Sequence, residues 1–456
     1  MSTAFTYLFS FLATVAILVV FHELGHYWAA RICKVKILKF SVGFGRVLWS
    51  RRFGPDQTEW ALAAVPLGGY VKMLDEREED VPARDLPRAF NRQSVWRRIF
   101  IVGAGPVANF VLAIVFFWAL FVTGVPGEKP VAAEPVRNSP AALAGIANGD
   151  TFVAINDEPV QTWGDVNWRL LKEAVNRSKV RIEVVEASGR RGYRTLDLSG
   201  TTADDVDGSL LNKLGLRPYV LRSPATLGSV VPGRAGARAG LQPGDRVVGV
   251  NGTPVATWVE FTTIVRANAE KPLKLDVERR GERLEITATP EADGKGKSRV
   301  GLLGVGVSEE LKREAASMRT TVSYDALTAL PKAAYKVWDL SVFSLKLLWR
   351  MITGEVSWKN LSGPITIADY AGQSAQAGWV TFLTFLAFVS VSLGVLNLLP
   401  IPLLDGGHLV YYFAEIVKGS PVSERTMEIG QRVGLALLLG LTFFAFYNDI
   451  NRLFTG

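Results

Sequence analysis

The sequence predicts a multi-pass α-helical membrane protein with four transmembrane helices and a repeated α/β domain between the second and the third. Three observations lead to this prediction. Four stretches are uncharged, or nearly so, over about the length that crosses a bilayer core, which is ~20 apolar residues. The 456 residues are 48% hydrophobic, which together with these stretches favours a membrane protein over a soluble enzyme. A pattern of glycine, aspartate and tryptophan recurs in the longest polar segment.

The first span is predicted over residues 1–30. Met1 to Phe21 carries no charge, and the apolar run continues to Ala30, just before Arg31. A cleaved signal peptide is the alternative, but neither the basic start nor the small-residue cleavage site of such a peptide is evident. We therefore expect a helix that stays in the membrane.

Three further spans are predicted over residues 99–125, 370–408 and 427–451. The third is long enough to cross the bilayer and still leave non-helical residues at one end. The fourth is the weakest, because its uncharged run from Val433 to Asn448 is short and needs the preceding turn to reach across.

The distribution of basic residues predicts the orientation. Residues 31–98 hold 14 Lys or Arg against 8 Asp or Glu, so the positive-inside rule places this segment in the cytoplasm. The N-terminus, residues 126–369 and the C-terminus then lie on the opposite side, and the first and third spans run in the same direction. The net charge of +8 would also permit nucleic-acid binding, but the first large basic cluster lies between two apolar spans, so we expect no nucleic-acid partner.

The segment between the second and third spans contains an internal repeat. The pattern AGLQPGDRVVGVNGTPV is typical of a turn, a buried strand, an Asn-Gly hairpin and a second strand, and it resembles the PDZ domain. We place two tandem PDZ-like α/β domains at residues 126–220 and 221–309, between transmembrane helices two and three. Residues at a constant offset of 95 positions indicate the two copies: Gly145, Gly149, Asp150, Asn156, Pro159 and Trp163 recur as Gly240, Gly244, Asp245, Asn251, Pro254 and Trp258.

Residues 310–369 are predicted to contain an amphipathic helix. Trp338, Val342, Leu345 and Trp349 recur at helical spacing, with basic residues nearby. Such a helix could lie on the membrane surface. It could equally pack on a PDZ-like domain, since apolar helix faces usually belong to a core.

The first span ends in the motif HELGH, which predicts a metal site. His22 and His26 are four residues apart, so on a helix both imidazoles share one face. In zinc hydrolases the glutamate of this motif, here Glu23, accepts a proton from the water that the metal activates. Ionisable residues at the end of an apolar span are costly in lipid, which favours a functional site over a solvated helix face. The single cysteine, Cys33, excludes a Cys-based zinc site.

A catalytic zinc site needs a third protein ligand. Asp405 and His408 are the candidates, both in the sequence NLLPIPLLDGGH that ends the third span. Because the first and third spans are parallel, this end lies at the same membrane depth as HELGH. Pro400 and Pro402 interrupt a helix here, and non-helical backbone is tolerated in a membrane only where it is buried in protein or lines a wet cavity. The residues alone do not choose between the two candidates.

The paired motifs resemble the site-2 protease family of intramembrane zinc metalloproteases. The resemblance covers nearly the whole chain through HELGH, SVGFGRVLW, PLGGYVKMLDER, NLSGPITIA and NLLPIPLLDGGH. It implies that His22, His26 and Asp405 hold zinc, that Glu23 is the general base, and that His408 has a supporting or structural role.

The resemblance also implies where the substrate binds. Asn397, with Pro400 and Pro402, is expected beside the substrate, where Asn397 could donate a hydrogen bond to it or to the developing oxyanion. The alternative is that Asn397 ties off the backbone of the broken helix.

A second substrate contact is implied within residues 31–98. Gly43, Phe44 and Gly45 belong to a stretch that the resemblance assigns to a membrane re-entrant β-structure. A helical substrate must be extended before cleavage, and an exposed strand edge can extend it by β-addition. An ordinary cytoplasmic hairpin is the alternative.

The implied activity is cleavage within the transmembrane segment of a single-pass membrane protein, in an envelope stress response. The substrate is of the anti-sigma factor type, already trimmed outside the membrane, and remnant signal peptides are further substrates. The implied location is the bacterial cytoplasmic (inner) membrane, with the PDZ-like domains in the periplasm, the active site toward the cytoplasm, and membrane lipid as a partner. The PDZ-like pair could exclude bulky substrates, or each groove could capture a peptide or new C-terminus near KLGLRP at Lys213 or LLGVGV at Leu302.

A second hypothesis is a non-enzymatic PDZ scaffold or a metal-ion carrier. A carrier needs a path of polar residues through the spans. Beyond the two motifs the spans are almost free of ionisable side chains, which favours one buried site over a conduit.

Overall fold

A computed structural model describes residues 3–78, 80–176, 178–201, 209–219, 221, 223–294, 299–358 and 361–455. The chain divides into two compact units. One, the helical unit, holds Met1–Val125 and Val322–Gly456, and the other, the repeat unit, holds Pro126–Thr201 and Asp205–Thr321.

The helices and strands fall into four consecutive parts of the chain. The first part contains α1 (Thr3–Ile32), β1 (Ile37–Phe53), β2 (Thr58–Met73), α2 (Val95–Thr123) and β3 (Val125–Glu128). The first repeat contains α3 (Pro140–Leu143), β4 (Thr151–Ile155), β5 (Glu158–Pro159), α4 (Trp163–Asn176), β6 (Lys179–Val185), β7 (Arg191–Asp197) and α5 (Leu210–Lys213). The second repeat contains β8 (Leu227–Val230), α6 (Ala235–Arg238), β9 (Arg246–Val250), β10 (Thr253–Pro254), α7 (Trp258–Ala267), β11 (Leu273–Arg279), β12 (Glu282–Ala288), β13 (Glu291–Asp293), β14 (Val300–Leu302), β15 (Val305–Val307) and α8 (Glu309–Ser317). The last part contains β16 (Arg319–Val322), α9 (Ala326–Ile352), α10 (Pro364–Ala377), α11 (Trp379–Asn397), α12 (Asp405–Lys418) and α13 (Glu424–Thr455).

Four helices of the described chain are long and apolar enough to cross a membrane, which confirms the predicted number of spans. The apolar stretches are Phe5–Ile32, Val95–Thr123, Trp379–Asn397 and Glu424–Arg452. The predicted span over residues 370–408 is not one helix. It contains the end of α10, all of α11, a non-helical turn and the start of α12. Pro400 and Pro402 explain the turn, because each lacks the backbone N–H that a helix interior requires.

Helix α2 is the centre of the helical unit, where it packs against α1, α9, α11 and α12. Glycine permits the approach of α1: a Cβ at Gly25 would lie 2.3 Å from the carbonyl oxygen of Ala104 and 2.8 Å from the Cβ of Ala108. Any larger residue at position 25 would therefore separate the two helices at the level of the HELGH motif.

A buried carboxylate joins α13 to α10. The Asp449 side chain accepts hydrogen bonds from the backbone N–H groups of Gly363, Ile365 and Thr366, at 2.9, 2.8 and 3.1 Å, and from the Thr366 hydroxyl at 2.5 Å. A residue of one helix thus caps the N-terminus of another, where unsatisfied N–H groups favour a negative charge.

Strands β1 and β2 form an antiparallel sheet. Each strand is bent and contributes two segments, so the sheet has four segments in all. Val42 pairs with Leu62 and also with Gly69, and Leu62 pairs in turn with Trp49. Within the described chain, residues 69–73 pair with β1 alone, so they form one edge of this sheet. This edge is referred to below as the edge segment.

The repeat of the sequence is a repeat of structure. The sheets have the orders β5-β4-β6-β7 and β10-β9-β11-β12. Strands β4 and β9 begin at residues 151 and 246, and helices α4 and α7 begin at residues 163 and 258, so both pairs keep the offset of 95. Each repeat has its own apolar core, with Phe152 fully buried in the first and Phe261 in the second.

Helix α9 covers the predicted amphipathic segment. Ala329, Ala333 and Val337 are buried on one face, and the Trp118 Nε1 atom of α2 donates a hydrogen bond to the carbonyl oxygen of Ala326 at 2.9 Å. Trp338 is exposed, together with Tyr335, Leu345, Trp349 and Ile352. The helix therefore packs through one face, which includes Leu340, and leaves several large apolar side chains on its other face uncovered within the chain.

Candidate metal centre and active-site cavity

The two histidines of HELGH lie on α1 and face α2. Their Nε2 atoms are 3.2 Å apart, as expected for positions i and i+4 on one helix face. Gly105 of α2 lies directly against them, since a Cβ there would be 2.3 Å from the His26 Nε2 atom and 2.9 Å from the His22 Cε1 atom. The histidine pair therefore fills the space that a side chain at position 105 would need.

Asp405 is the first residue of α12, and its carboxylate meets the histidine pair. The Oδ2 atom lies 3.2 Å from His22 Nε2 and 3.5 Å from His26 Nε2. This oxygen is buried and makes no hydrogen bond of good geometry. The following Gly406 and Gly407 are required by the tight turn, because a Cβ at either position would lie within 2.4 Å of a backbone carbonyl oxygen.

These three side chains fit a zinc ion. The ligand atoms of His22, His26 and Asp405 all lie within 4.8 Å of one another, and they are the only such group of His, Cys, Asp or Glu found in the described part of the chain. Two imidazole nitrogens and one carboxylate oxygen are a donor set that zinc hydrolases use, and they leave a coordination position open. A buried carboxylate oxygen without a hydrogen-bond donor is costly unless it is paired or bound to a cation.

Glu23 and His408 border the same cavity without joining this group of ligand atoms. Glu23 is buried on α1, next to the edge segment: a Cβ at Gly69 would be 3.0 Å from the Glu23 Cγ atom. His408 is one turn beyond Asp405 on α12, and its ring makes an edge-to-face contact with Tyr411, with centroids 6.3 Å apart.

A cavity of about 750 Å³ opens from the ligand group. Its inner end is lined by the three ligand candidates, Glu23 and Asn397, and one side is formed by the edge segment. Its outer part is lined by charged residues, including Asp75, Arg77 and the Arg98–Glu415 pair, with Met427 and Gln431 of α13. The cavity therefore joins the ligand group to a region of charged side chains, which is called the mouth below.

The mouth is held by an ion pair between α2 and α12. The Arg98 guanidinium donates to both carboxylate oxygens of Glu415, at 2.6 and 3.1 Å, and lies over the ring of Tyr412 at 4.9 Å. Burial raises the pKa of Tyr412 to about 12. Burial alone would also raise the pKa of Asp75, but hydrogen bonds from Arg77 hold that pKa below its ordinary value. Tyr412 therefore stays neutral and Asp75 stays ionised at neutral pH.

The predicted substrate-contact residues lie in different places. Asn397, the last residue of α11, lines the cavity, whereas Pro400 and Pro402 are not among its lining residues. Pro402 packs against α13, where a Cβ at Gly434 would be 1.9 Å from its carbonyl oxygen. The two prolines therefore form the turn that carries Asp405 into position.

Gly43, Phe44 and Gly45 lie at the bend of β1 and do not line the cavity. Both glycines have positive φ, of 93° and 84°, which the bend requires. Phe44 instead stacks on Tyr70 of the edge segment, with ring centroids 6.3 Å apart. This stretch supports the strand that borders the cavity.

Two features of the site were not predicted from the sequence. The edge segment lies within PLGGYVKMLDER, but no role was predicted for it, because its position depends on strand pairing. Asn109 of α2 is fully buried, and its side-chain amide lies 3.2 Å from the His22 Nδ1 atom. A signal was available for Asn109, since it is a strongly polar residue within the uncharged run of a membrane span.

The fold and the site define a membrane-embedded metallohydrolase of the HExxH class, with a carboxylate from a second helix beside the histidine pair. Comparison with protein families gives the same class: residues 10–441 match peptidase family M50. The chain belongs to this family of zinc-dependent metalloproteases.

Full-length relatives extend the comparison. The chain is similar to the regulator of sigma-E protease RseP of Escherichia coli, with 41% identity over 97% of this chain and 98% of the relative. It is 42% identical to the regulator of sigma E protease of Haemophilus influenzae, again over 97% and 98% of the two chains. A Ralstonia nicotianae protein that carries the name of a zinc metalloprotease is 42% identical over 98% of both chains.

Because the histidine pair packs against α2, alanine substitutions at two glycines of this helix should differ strongly in their effect on zinc binding. Gly105→Ala should displace the imidazoles, because its Cβ would lie 2.3 Å from His26 Nε2, and should weaken zinc binding by about 10-fold or more. Gly103→Ala, on the same helix, is the matched control because a Cβ there meets nothing within 4 Å. Zinc content of the purified full chain, measured by mass spectrometry after dialysis against a weak chelator, would compare the two. Equal zinc retention would contradict this packing.

Proposed function

We propose that this chain is an intramembrane zinc endopeptidase that cleaves transmembrane segments of single-pass membrane proteins. The observation that carries the proposal is the grouping of His22, His26 and Asp405 beside Glu23, at the inner end of a cavity between membrane-spanning helices. Membership of peptidase family M50 supplies the reaction class, and the four spans supply the environment.

In this proposal His22, His26 and Asp405 are the zinc ligands. Zinc, when bound, supplies Lewis-acid chemistry, polarising the scissile carbonyl and making water acidic enough to be deprotonated near neutral pH. Asp405 lies at the N-terminus of α12, where the helix dipole favours its negative charge. The open side of the ligand group faces the cavity, so that water and substrate both have access.

Glu23 is the proposed general base. It borders the cavity but does not belong to the ligand group, so its carboxylate is available to take a proton from the attacking water. The same carboxylate can then donate that proton to the leaving amine nitrogen. Its burial next to the edge segment limits competing contact with bulk solvent.

The edge segment is the proposed binding site for extended substrate. A transmembrane helix hides its amide groups in internal hydrogen bonds, so the chain must be extended before a peptide bond reaches the metal centre. The outer edge of residues 69–73 borders the cavity and can supply main-chain hydrogen bonds to an added strand. Asn397, which also lines the cavity, is proposed to hold the scissile carbonyl or the oxyanion that forms from it.

The proposed physiological substrate is a membrane-anchored anti-sigma factor that has first been cut outside the membrane. The names of the Escherichia coli and Haemophilus influenzae relatives, which describe regulators of sigma-E, support this class. Remnant signal peptides are a second proposed class. We propose the bacterial inner membrane as the location, with the repeat unit in the periplasm and the metal centre toward the cytoplasm.

The two repeats are proposed to be PDZ domains that filter or capture substrates. The second repeat has a cavity of about 390 Å³ between α7 and residues 301–305, lined by Trp258, Thr262 and Arg266. An apolar groove with a nearby guanidinium suits a peptide C-terminus. In the first repeat, Leu214 and Leu216 of KLGLRP belong to the buried core, as Leu303 of LLGVGV does in the second repeat.

Helix α9 is proposed to contact lipid. Its exposed side chains are large and apolar, and tryptophan is enriched where a protein meets the interface of a bilayer. Helix α9 packs against α2, so the membrane contact would also hold the helical unit at a defined depth.

Substitutions within HELGH separate catalysis from metal binding. Glu23→Gln should reduce cleavage of a model single-pass substrate by about 10³-fold, within the range that general acid–base catalysis contributes, while zinc stays bound. His22→Ala should lose both zinc and cleavage. Cleavage in cells expressing each variant, with zinc content of the purified chains, would test the assignment. Substantial turnover by Glu23→Gln would contradict the base role, and wild-type zinc content in His22→Ala would contradict the ligand role.

Substrate addition at the edge segment predicts a local pattern of photo-cross-linking. A photoreactive amino acid at Tyr70, which borders the cavity, should cross-link a substrate trapped by Glu23→Gln. The same amino acid at Trp49, which is more exposed but lies at the far side of the sheet, is the matched control and should not. Strong cross-linking at Trp49 with none at Tyr70 would refute the edge segment as the binding site.

A further inference from the structure

The two histidines of the ligand group each have a second ring nitrogen, and α2 faces both of these nitrogens. The Nδ1 atom of His26 lies 2.9 Å from the carbonyl oxygen of Ile101. A carbonyl oxygen only accepts hydrogen bonds, so the His26 Nδ1 atom carries the hydrogen and donates it. In the neutral imidazole, Nε2 is then the nitrogen with a lone pair for a metal.

His22 requires the same arrangement if its Nε2 atom is a metal ligand. Its Nδ1 atom must then carry a hydrogen and needs an acceptor. The nearest side chain is Asn109, whose amide lies 3.2 Å from Nδ1. An amide offers an acceptor through its oxygen and only donors through its nitrogen.

The orientation of the Asn109 amide follows from its contact with His22. With Nδ2 directed at His22, the Oδ1 atom is buried without any hydrogen-bond partner. The hydrogen-bonding partner of an amide decides which of its two atoms faces that partner, and an N–H at His22 Nδ1 selects the oxygen. In the exchanged orientation Oδ1 accepts the hydrogen of His22 Nδ1, and the imidazole presents the lone pair of Nε2 to the ligand group.

We propose that Asn109 is a positioning residue of the metal centre, whose Oδ1 atom fixes the tautomer and the ring orientation of His22. The inference rests on the ligand assignment proposed above. Helix α2 then supplies the hydrogen-bond acceptors for the Nδ1 atoms of both histidines, Ile101 for His26 and Asn109 for His22. Partners of this kind typically change metal affinity by about 10–100-fold when they are removed.

The location of Asn109 suits this role. Its side chain is fully buried, and its backbone carbonyl oxygen accepts a hydrogen bond from the Ser390 hydroxyl of α11 at 2.7 Å. Asn109 therefore lies where α2 faces α1 through its side chain and α11 through its backbone. A polar side chain at this depth of a membrane helix is costly unless it has a partner, and His22 is its one hydrogen-bonded side chain within the described residues.

Three variants of the full chain in detergent test the proposal. Asn109→Asp keeps the shape and offers acceptors only, whereas Asn109→Leu keeps the approximate size and offers none. Ser390→Ala is the control, because it removes a hydrogen bond to the Asn109 backbone without altering the amide. Zinc affinity, measured by competition with a chelator, should fall by about 10–100-fold in Asn109→Leu and stay within about 3-fold of wild type in Asn109→Asp and Ser390→Ala.

A second measurement needs no variant of Asn109. The chain contains only three histidines, so selective nitrogen-15 labelling gives a resolvable spectrum, and His22→Ala assigns one of them. In the zinc-loaded wild type, the His22 ring should carry its hydrogen on Nδ1, because Nε2 then binds the metal. A hydrogen on Nε2 would overturn the proposal even if Asn109→Leu failed to fold.

The remaining outcomes separate this inference from the function on which it rests. If His22→Ala loses zinc but Asn109→Leu binds it as wild type does, the positioning role of Asn109 is wrong and the ligand assignment stands. If Asn109→Asp fails as severely as Asn109→Leu, the amide does not act as an acceptor, which also overturns the proposal. If His22→Ala keeps wild-type zinc affinity, the ligand assignment itself is wrong.

Discussion

The close approach of α1 to α2 is the constraint on which the rest of the structure depends. Gly25 allows the backbone of α2 to lie against α1, and Gly105 leaves the space that the two imidazoles occupy. Because α2 also packs against α11 and α12, the same helix sets the position from which Asp405 reaches the histidines. A metal centre assembled from two distant parts of the chain is thus positioned by a third part that contributes none of the three ligand candidates.

The non-helical turn between α11 and α12 matters both for the metal centre and for helix packing. Pro400 and Pro402 end the helix, and the glycines after Asp405 let the chain pass within contact distance of its own carbonyl groups. The resulting turn delivers a carboxylate to the centre and opens a cavity beside it. The Arg98–Glu415 pair then holds α12 to α2 at the mouth. A partly buried ion pair of this kind contributes more to a defined geometry than to the free energy of folding, because desolvation offsets most of its attraction.

Local patterns made much of this organisation predictable. The spans follow from hydropathy, the repeat from a constant offset, and the facing of His22 and His26 from helical periodicity. The third ligand was not decided by the residues, because topology fixes the depth of NLLPIPLLDGGH but not which side chain of the first turn of α12 faces inward. The edge segment and Asn109 were not predicted for a related reason. Both depend on non-local contacts, namely strand pairing across a bend and the contact between residues 22 and 109, and such contacts leave no periodic pattern in the sequence.

X-ray absorption at the zinc edge of the purified full chain tests the central claim most directly, because it reports the atoms that hold the metal. The account predicts two imidazoles with additional oxygen ligands at about 2.0–2.2 Å, and no sulfur. Three imidazoles would show that His408 replaces Asp405. A sulfur ligand at about 2.3 Å would implicate Cys33 and contradict the proposed centre altogether.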